Sequence, residues 1–369
     1  MKKSPGYIPI ALAAAIVGGC QRVPPANGGG FTHFVGLEDF SKFTRTLSEN
    51  GDTILLSPPI HSGIPWNQLV ISWNAKAPAA TFLEIEAAAI WEGRRGGFYK
   101  MANWSLDGSS HPRSSIGNQK DSEGRVDTDT LILSQRADAA QLRVTLGRGG
   151  DSQPALHFLG LSFANTKAQP LTKPPNRAAW GRIIATPERS QFGDADAKGW
   201  CSPASLSMVL SHWATILERP AMDLSVSAVA AAVYDPGLPG TGNWSFNTAL
   251  AGSFNGMRSY VTRMDDLSEV EDWIAADIPV VLSARWDWLR PGRPSAPAGH
   301  LVVCVGFTEN GDVVINDPAA HLDRDGKVRQ VYKREDVLHA WNKSAHAVYL
   351  VYPENTPIPK NRFGHWANR

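Results

Sequence analysis

Residues 199–217 read GWCSPASLSMVLSHWATIL, and their spacing predicts a helix. Leu206, Val209, Leu210, Trp213, Ile216 and Leu217 recur at intervals of three and four, so one face of that helix is expected to pack into a core. Its start is marked as well: Ser202 reads as an N-cap and Pro203 as the first helical residue, where a missing N–H costs nothing. Cys201 therefore falls at the mouth of a helix. There the positive end of the helix dipole favours the thiolate, the nucleophilic form of the side chain, and a neighbouring imidazolium would favour it further. Taken alone, a structural cysteine that happens to precede a helix fits equally well.

A second stretch supplies partners for that thiol. Residues 298–318, AGHLVVCVGFTENGDVVINDP, are two apolar strands around Asn310-Gly311, a dipeptide that favours a hairpin turn. His300 begins the first strand and Asp317 ends the second. Thiol catalysis needs an imidazole beside the sulfur and a third group that holds the imidazole's tautomer and orientation, and a hairpin can bring the last two together. Because side chains alternate across a sheet, only one of the adjacent Asn316 and Asp317 can share the face of His300. If Asn310-Gly311 is a two-residue turn, position 317 opposes 304, which has the parity of 300. Asp317 then faces correctly but stands four residues, about 13 Å, along the strand. A different loop or a bulge must close that gap, and an odd shift would make Asn316 the orienting residue instead.

Outward from these stretches the chain divides. From residue 31 to 165, short β-type runs (TILLS, NQLVISWNA, ATFLEIEAAAIW, GGFYKMANWSL, VDTDTLILS, AAQLRVTLG, ALHFLGLSF) alternate with turn residues. Leu142, Val144 and Leu146 alternate with Arg143 and Thr145, the period of a half-buried strand. An N-terminal all-β, antiparallel sandwich is expected. Residues 166–180 are polar and proline-bearing, a semi-rigid linker. Residues 181–355 mix helical stretches with consecutive strands, the α+β pattern, and residues 356–369 read as a polar tail. A length of 369 residues agrees with two domains.

The first twenty residues read as export machinery. Lys2 and Lys3 precede an apolar run from Tyr7 to Gly19, which is shorter than the roughly 20 residues of a membrane span and then breaks into Gln21, Arg22, Pro24 and Pro25. Val17-Gly18-Gly19-Cys20 resembles a bacterial lipobox, in which the cysteine is acylated and becomes the first mature residue. Residues 1–20 are therefore expected to be a lipoprotein signal peptide, Cys20 the lipidation site and residues 21–30 a flexible spacer, which makes this an exported, membrane-anchored protein of the cell envelope. An uncleaved anchor and a plain secretory signal are the alternatives. Three cysteines, one of them Cys20, leave no disulfide framework, so an exported chain with so few either needs no staples or keeps a thiol free for chemistry. A net charge of +1 gives no basic footprint, and nucleic acid is set aside as a partner. There is no H-E-x-x-H and no C-x-x-C, so no metal and no cofactor is expected. The 13 Trp suggest aromatic-rich β structure or ligand-facing surface.

These residues resemble papain-like cysteine peptidases related to the bacteriocin double-glycine leader peptidases, cysteine peptidase family 39, over roughly Arg182 to Tyr352. The order Cys, His, Asp is that family's. The resemblance implies a papain-like fold for residues 181–355, Cys201 as nucleophile in a C-x-P-A helix start, His300 as base and Asp317 as the acid of a DP motif. It also implies an oxyanion-hole glutamine shortly before the nucleophile. Gln191 is the Gln nearby, ten positions upstream through GDADAKGW, so that loop must fold back to aim its amide. The backbone N–H of Cys201 would be the second donor to the oxyanion. No span and no G-x-x-x-x-G-K-[ST] loop accompanies the domain, so the transporter of true leader peptidases, and with it their substrate, is not carried over.

Trp200, Trp244 and Asn247 are candidates for lining a substrate cleft, with a core role for Trp244 as the plain alternative. His346 opens another apolar strand but has no acid at hairpin distance. His212 lies beside the apolar stripe of the helix, and Cys304 reads as a small core residue. The function expected is a thiol hydrolase that cleaves peptide bonds in a peptide or protein substrate at the cell envelope, with a glycan or envelope protein as a partner for the β-sandwich. The alternatives are an inactive envelope-binding lipoprotein and a papain-like cell-wall amidase or acyltransferase.

Overall fold

A computed structural model describes residues 30–108, 111–193, 199–290 and 298–367. The signal peptide, Cys20 and all of the spacer but Gly30 lie outside the described residues, as do residues 194–198 before the nucleophile and residues 291–297 before His300. Among the described residues no helix is long and apolar enough to cross a membrane.

The first domain holds ten strands: β1 (Thr32–Leu37), β2 (Thr44–Leu47), β3 (Thr53–Leu56), β4 (Ile60–Lys76), β5 (Phe82–Trp91), β6 (Arg94–Arg95), β7 (Tyr99–Trp104), β8 (Gly124–Asp127), β9 (Thr130–Gly147) and β10 (Ala155–Ala164). Every β-type run expected from the sequence overlaps a strand, and VDTDTLILS spans the turn between β8 and β9. The alternation in β9 holds: Leu142, Val144 and Leu146 are buried while Arg143 and Thr145 are half-exposed. Hydrogen bonding links all ten into one continuous, largely antiparallel sheet, because β4 and β9 are long and change pairing partners along their length. Register shifts around Trp66 bend β4 against β9 and let the sheet curl. Trp66, Trp73, Trp104, Phe34, Phe158 and Phe163 fill its interior. Most of the tryptophan surplus is thus core, each ring removing enough apolar area to be worth a few kcal/mol.

The second domain runs α1 (Cys201–Ile216), α2 (Val226–Val233), α3 (Trp244–Gly252), β11 (Met257–Arg263), α4 (Leu267–Ala275), β12 (Val280–Arg285), α5 (Trp286–Leu289), β13 (Gly299–Phe307), β14 (Val313–Asn316), α6 (Leu322–Asp325), β15 (Arg329–Tyr332), α7 (Arg334–Asn342) and β16 (Ala347–Pro353). Its strands form an antiparallel sheet in the order β11-β16-β12-β13-β14-β15. Helix α1 is buried all round from Cys201 to Ala214, and only its last turn surfaces, with Ile216 exposed. The expected single buried face is too narrow, since α2, α3 and the sheet enclose the helix. Side-chain bonds lash it to the sheet, among them Ser205 Oγ donating to Leu301 O (3.0 Å) and Trp213 Nε1 to Val351 O (2.8 Å).

The domains are joined by buried polar contacts between residues distant in sequence. The Asn74 carboxamide of β4 donates to Ser259 O (2.6 Å) and accepts from Ser259 N (3.1 Å), while Ser72 Oγ accepts from Val261 N (2.8 Å). β11 is an outer strand of its sheet, so these side chains stand in for the missing neighbour. Asp129 Oδ2 accepts from Trp244 N (2.6 Å) at the start of α3, and Ser115 bonds both carboxylate oxygens of Asp235. The proline-bearing segment lies along α4, with Leu171 N and Lys173 N donating to Asp265 and Asp266. At the far end, β17 (Trp366–Ala367) pairs parallel with β1. His365 and Trp366 both bond Glu269 Oε1, at 2.7 and 2.9 Å. Residues 361–367, within the segment read as a tail, therefore clasp both domains.

Candidate active site

Cys201 is the first residue of α1. The N-cap is Trp200, without a side-chain cap, rather than Ser202, and Pro203 sits in the first turn at the third helical position. There its missing N–H is still one of the unpaired donors of a helix start. Ser202 is turned inward instead, its hydroxyl paired with Tyr349 OH (2.9 Å).

The hairpin that carries His300 and Asp317 solves the spacing problem with two single-residue offsets. Thr308 N bonds Asp312 O, which leaves a three-residue loop, Glu309 to Gly311, with Gly311 in the left-handed region (φ +85°) that glycine adopts freely. A bulge then falls between Cys304 and Gly306, so Val303 faces Asn316. Continuing that register puts Asp317 across from Val302, two residues from His300 and on its face. His300 Nε2 meets Asp317 Oδ1 at 2.8 Å. The other ring nitrogen, Nδ1, is left for the Cys201 thiol, with which the imidazole is hydrogen-bonded. The backbone N–H groups of Leu301 and Ser202 also favour the thiolate. The Ser205–Leu301 bond one turn into α1 thus fixes the helix start against the strand that bears His300.

Asn316 points to the opposite face. Its carboxamide donates to Thr186 O and Pro187 O (both 3.2 Å) and accepts from Arg329 Nε (2.9 Å). It is a brace for the segment leading to Gln191, and the expectation of it as a rival orienting residue is corrected by the even register.

The electrostatics follow from these contacts. Burial alone would raise the Cys201 thiol, but the hydrogen bond and charge of His300, with the two backbone N–H groups, outweigh it and lower the thiol below its ordinary range. Burial opposes protonation of His300, yet the Asp317 carboxylate and the thiolate raise it to about 9. Asp317 is fully buried, which opposes ionisation, but His300, Arg290 and Tyr332 hold it well below the usual carboxylate range. The arrangement favours a thiolate–imidazolium pair backed by a carboxylate. Cys304 is the contrast: buried with its sulfur near Gly306 O, it is pushed up to about 12.

Sequence reasoning missed two residues beside Asp317, Arg290 and Tyr332. Arg290 Nη2 (2.7 Å) and Tyr332 OH (2.5 Å) both donate to Asp317 Oδ2. The Trp286 ring stands edge-on to the His300 imidazole, centroids 4.5 Å apart, and the Arg290 guanidinium lies over its face at 4.6 Å. An arginine after a four-residue helix and a tyrosine on an outer strand carry no local pattern; only their nearness to the hairpin in space marks them.

Gln191 N donates to Pro318 O (2.9 Å), which places this residue beside the Asp317-Pro318 turn, and its Oε1 is buried without a protein partner. Trp200 is half-buried, and Thr241 Oγ1 donates to Gly199 O just ahead of it. Trp244 is packed against the core at the start of α3. Asn247 is fully buried, its amide spent on Thr241 O and Asn243 O (2.9 and 2.8 Å), so it shapes the 241–243 loop from within and does not line a cleft. His346 stacks on Trp341 and bonds Met264 O; burial lowers it to about 4. His212 bonds Ala185 O (3.3 Å) on the segment before Gln191.

Residues 44–164 match the family model described as Peptidase C39 N-terminal domain, and residues 183–349 match the Peptidase_C39 like family. Among solved structures, a C39-like peptidase from Bacillus anthracis is similar, with 17% identity, a TM-score of 0.35, and coverage of 46% of this chain and 97% of that one. No curated protein matches.

Proposed function

We propose, from the matches to the two C39 family models, that the chain is a papain-like cysteine peptidase with Cys201 as nucleophile, His300 as acid–base and Asp317 as the orienting acid. The observation that carries the reading is the chain of contacts from a helix-mouth thiol through His300 to a buried Asp317 at 2.8 Å. The Cys201 thiolate adds to the peptide carbonyl, and the oxyanion is held by Cys201 N–H and the Gln191 side-chain amide. Imidazolium His300 gives its proton to the departing amine, leaving a thioester on Cys201. Neutral His300 then takes a proton from water as that water attacks the thioester. The acid product leaves, and the thiolate–imidazolium pair is restored. Asp317 keeps the imidazole oriented throughout.

At the level of the whole protein, the reading is a β-sandwich that presents a thiol peptidase at the cell envelope, tethered through an acylated Cys20 and free to engage envelope glycan or protein. The test of the chemistry is profiling of purified full-length protein on peptide libraries and on peptidoglycan fragments, beside Cys201→Ala. Cleavage of peptides by the wild type alone is the expected result. Turnover only of peptidoglycan amide bonds would move the reading to a cell-wall amidase, and turnover of both by Cys201→Ala would remove Cys201 from the chemistry. Metabolic labelling with an alkyne fatty acid, lost in Cys20→Ala, tests the anchor; equal labelling of both would refute it.

A further inference from the structure

The Asp317 carboxylate has two oxygens with separate partners. Oδ1 takes His300 Nε2 (2.8 Å) and Ala319 N–H (2.9 Å); Oδ2 takes Arg290 Nη2 (2.7 Å) and Tyr332 OH (2.5 Å). The proton positions on the second side are fixed by chemistry. Arg290 Nε also reaches Tyr332 OH (2.9 Å), and a guanidinium nitrogen only donates. Tyr332 therefore accepts from Arg290 and sends its own proton to Asp317. Burial, and then the nearby carboxylate, keep that hydroxyl protonated, so it is a donor at every pH where the thiol pair exists.

Charge counting gives Arg290 a second role. Thiolate, imidazolium and carboxylate together carry one net negative charge in a buried site, and a buried unbalanced charge is costly. Arg290, nine-tenths buried itself, sets a positive charge against Asp317, and its Nη1 also approaches the Asp325 carboxylate, a further negative charge, at 3.4 Å. Among the described residues, the charged or titratable groups facing this cluster are Cys201, His300, Asp317, Arg290, Tyr332, Asp325 and, on the Cys201 side, the buried Tyr349.

We propose that Arg290 and Tyr332 are positioning residues of the thiol site, holding the Asp317 carboxylate ionised and its Oδ1 aimed at His300 Nε2. The inference rests on the reading of Cys201, His300 and Asp317 given above. Both consequences of removing the arginine act on the acid side in the same direction. A less firmly ionised Asp317 supports the imidazolium less, and the loss of a nearby cation disfavours the thiolate directly. Either way the thiolate forms at higher pH.

The test is the rate of Cys201 alkylation by iodoacetamide across pH 3 to 10 on full-length protein, with folding checked by circular dichroism. Wild type is compared with Tyr332→Phe, Arg290→Lys, Arg290→Met and, as a control on the same strand, Val331→Ala, whose side chain is exposed. The acid midpoint in Arg290→Met is expected to rise by about one pH unit or more, with a smaller rise in Tyr332→Phe and Arg290→Lys and none in Val331→Ala. Arg290→Lys keeps the charge but cannot hold Tyr332 and Asp317 at once, so it separates charge from geometry. If Arg290→Met does not fold, Tyr332→Phe and Arg290→Lys decide. Folded variants with the wild-type midpoint would overturn the proposal. A wild type that itself titrates like a free cysteine, near pH 8.5, would instead defeat the cysteine-peptidase reading beneath it.

Discussion

Replacing Asn74 by alanine should destabilise the protein at the junction of its domains. The side chain is buried, and its amide satisfies both the N–H and the C=O of Ser259 on the outer strand β11. Truncation leaves one buried donor and one buried acceptor without partners, at about 1–3 kcal/mol each, so the loss is expected to be about 2–6 kcal/mol. That is a large share of the 5–15 kcal/mol typical of a folded domain. Gly252 lies against the Asn74 amide and has no side chain with which to fill the space. The assay is urea unfolding of the full chain followed by tryptophan fluorescence, beside Asn74→Ala and the exposed neighbour Lys76→Ala. A second readout is self-association by light scattering, since an unsealed strand edge invites pairing with another chain. The expected result is a lower midpoint and concentration-dependent association in Asn74→Ala alone. A midpoint within about 0.5 kcal/mol of wild type would show that Asn74 does not seal β11.

Three further outcomes follow from the site and its supports. A Cβ on Gly306 would fall 2.1 Å from Arg182 O, so Gly306→Ala must push β13 away from residues 182–184; a loss of about 1–3 kcal/mol in unfolding experiments is expected, with a wild-type value counting against that close approach. Cys304→Ala should leave iodoacetamide labelling at neutral pH unchanged when peptides are mapped by mass spectrometry, because that thiol is buried and pushed up to about 12; loss of half the label would refute its inertness. His300 titrates at about 9 in the fold against an ordinary 6.5, so its pairing contributes stability that is full below pH 6.5 and lost as pH rises through about 9. Melting temperature should therefore fall more across that window in wild type than in His300→Gln, and parallel curves would contradict the assignment.

How far the sequence carries depends on how local each cause is. Helix α1 is legible because its apolar spacing is local, although its burial on every side is not, since that depends on which elements close around it. The strands of the first domain are legible from alternation, while the pairing of β4 and β9 with several partners is set by bulges that leave no clear mark in composition. The side of the hairpin facing His300 came down to parity, and Asp317 lies there because the loop and the bulge each shift the register by one, together an even number. Asn247 shows the opposite failure. A polar residue in a glycine-rich stretch suggests a cleft, whereas here its amide caps carbonyls inside the fold. Arg290 and Tyr332 meet Asp317 through contacts between separate elements, as Asn74 and Asp129 meet the second domain, and nothing in their neighbouring residues announces it.

The central claim is that Cys201 is a thiolate because His300 makes it one. Its most direct measurement is the rate of iodoacetamide capture at Cys201, resolved by mass spectrometry, at pH 6 in wild type and in His300→Ala. An ordinary thiol with a pKa near 8.5 is less than about 1% ionised there. Rapid capture in wild type and a fall to free-cysteine rates in His300→Ala is the predicted result; equal capture in both would contradict it.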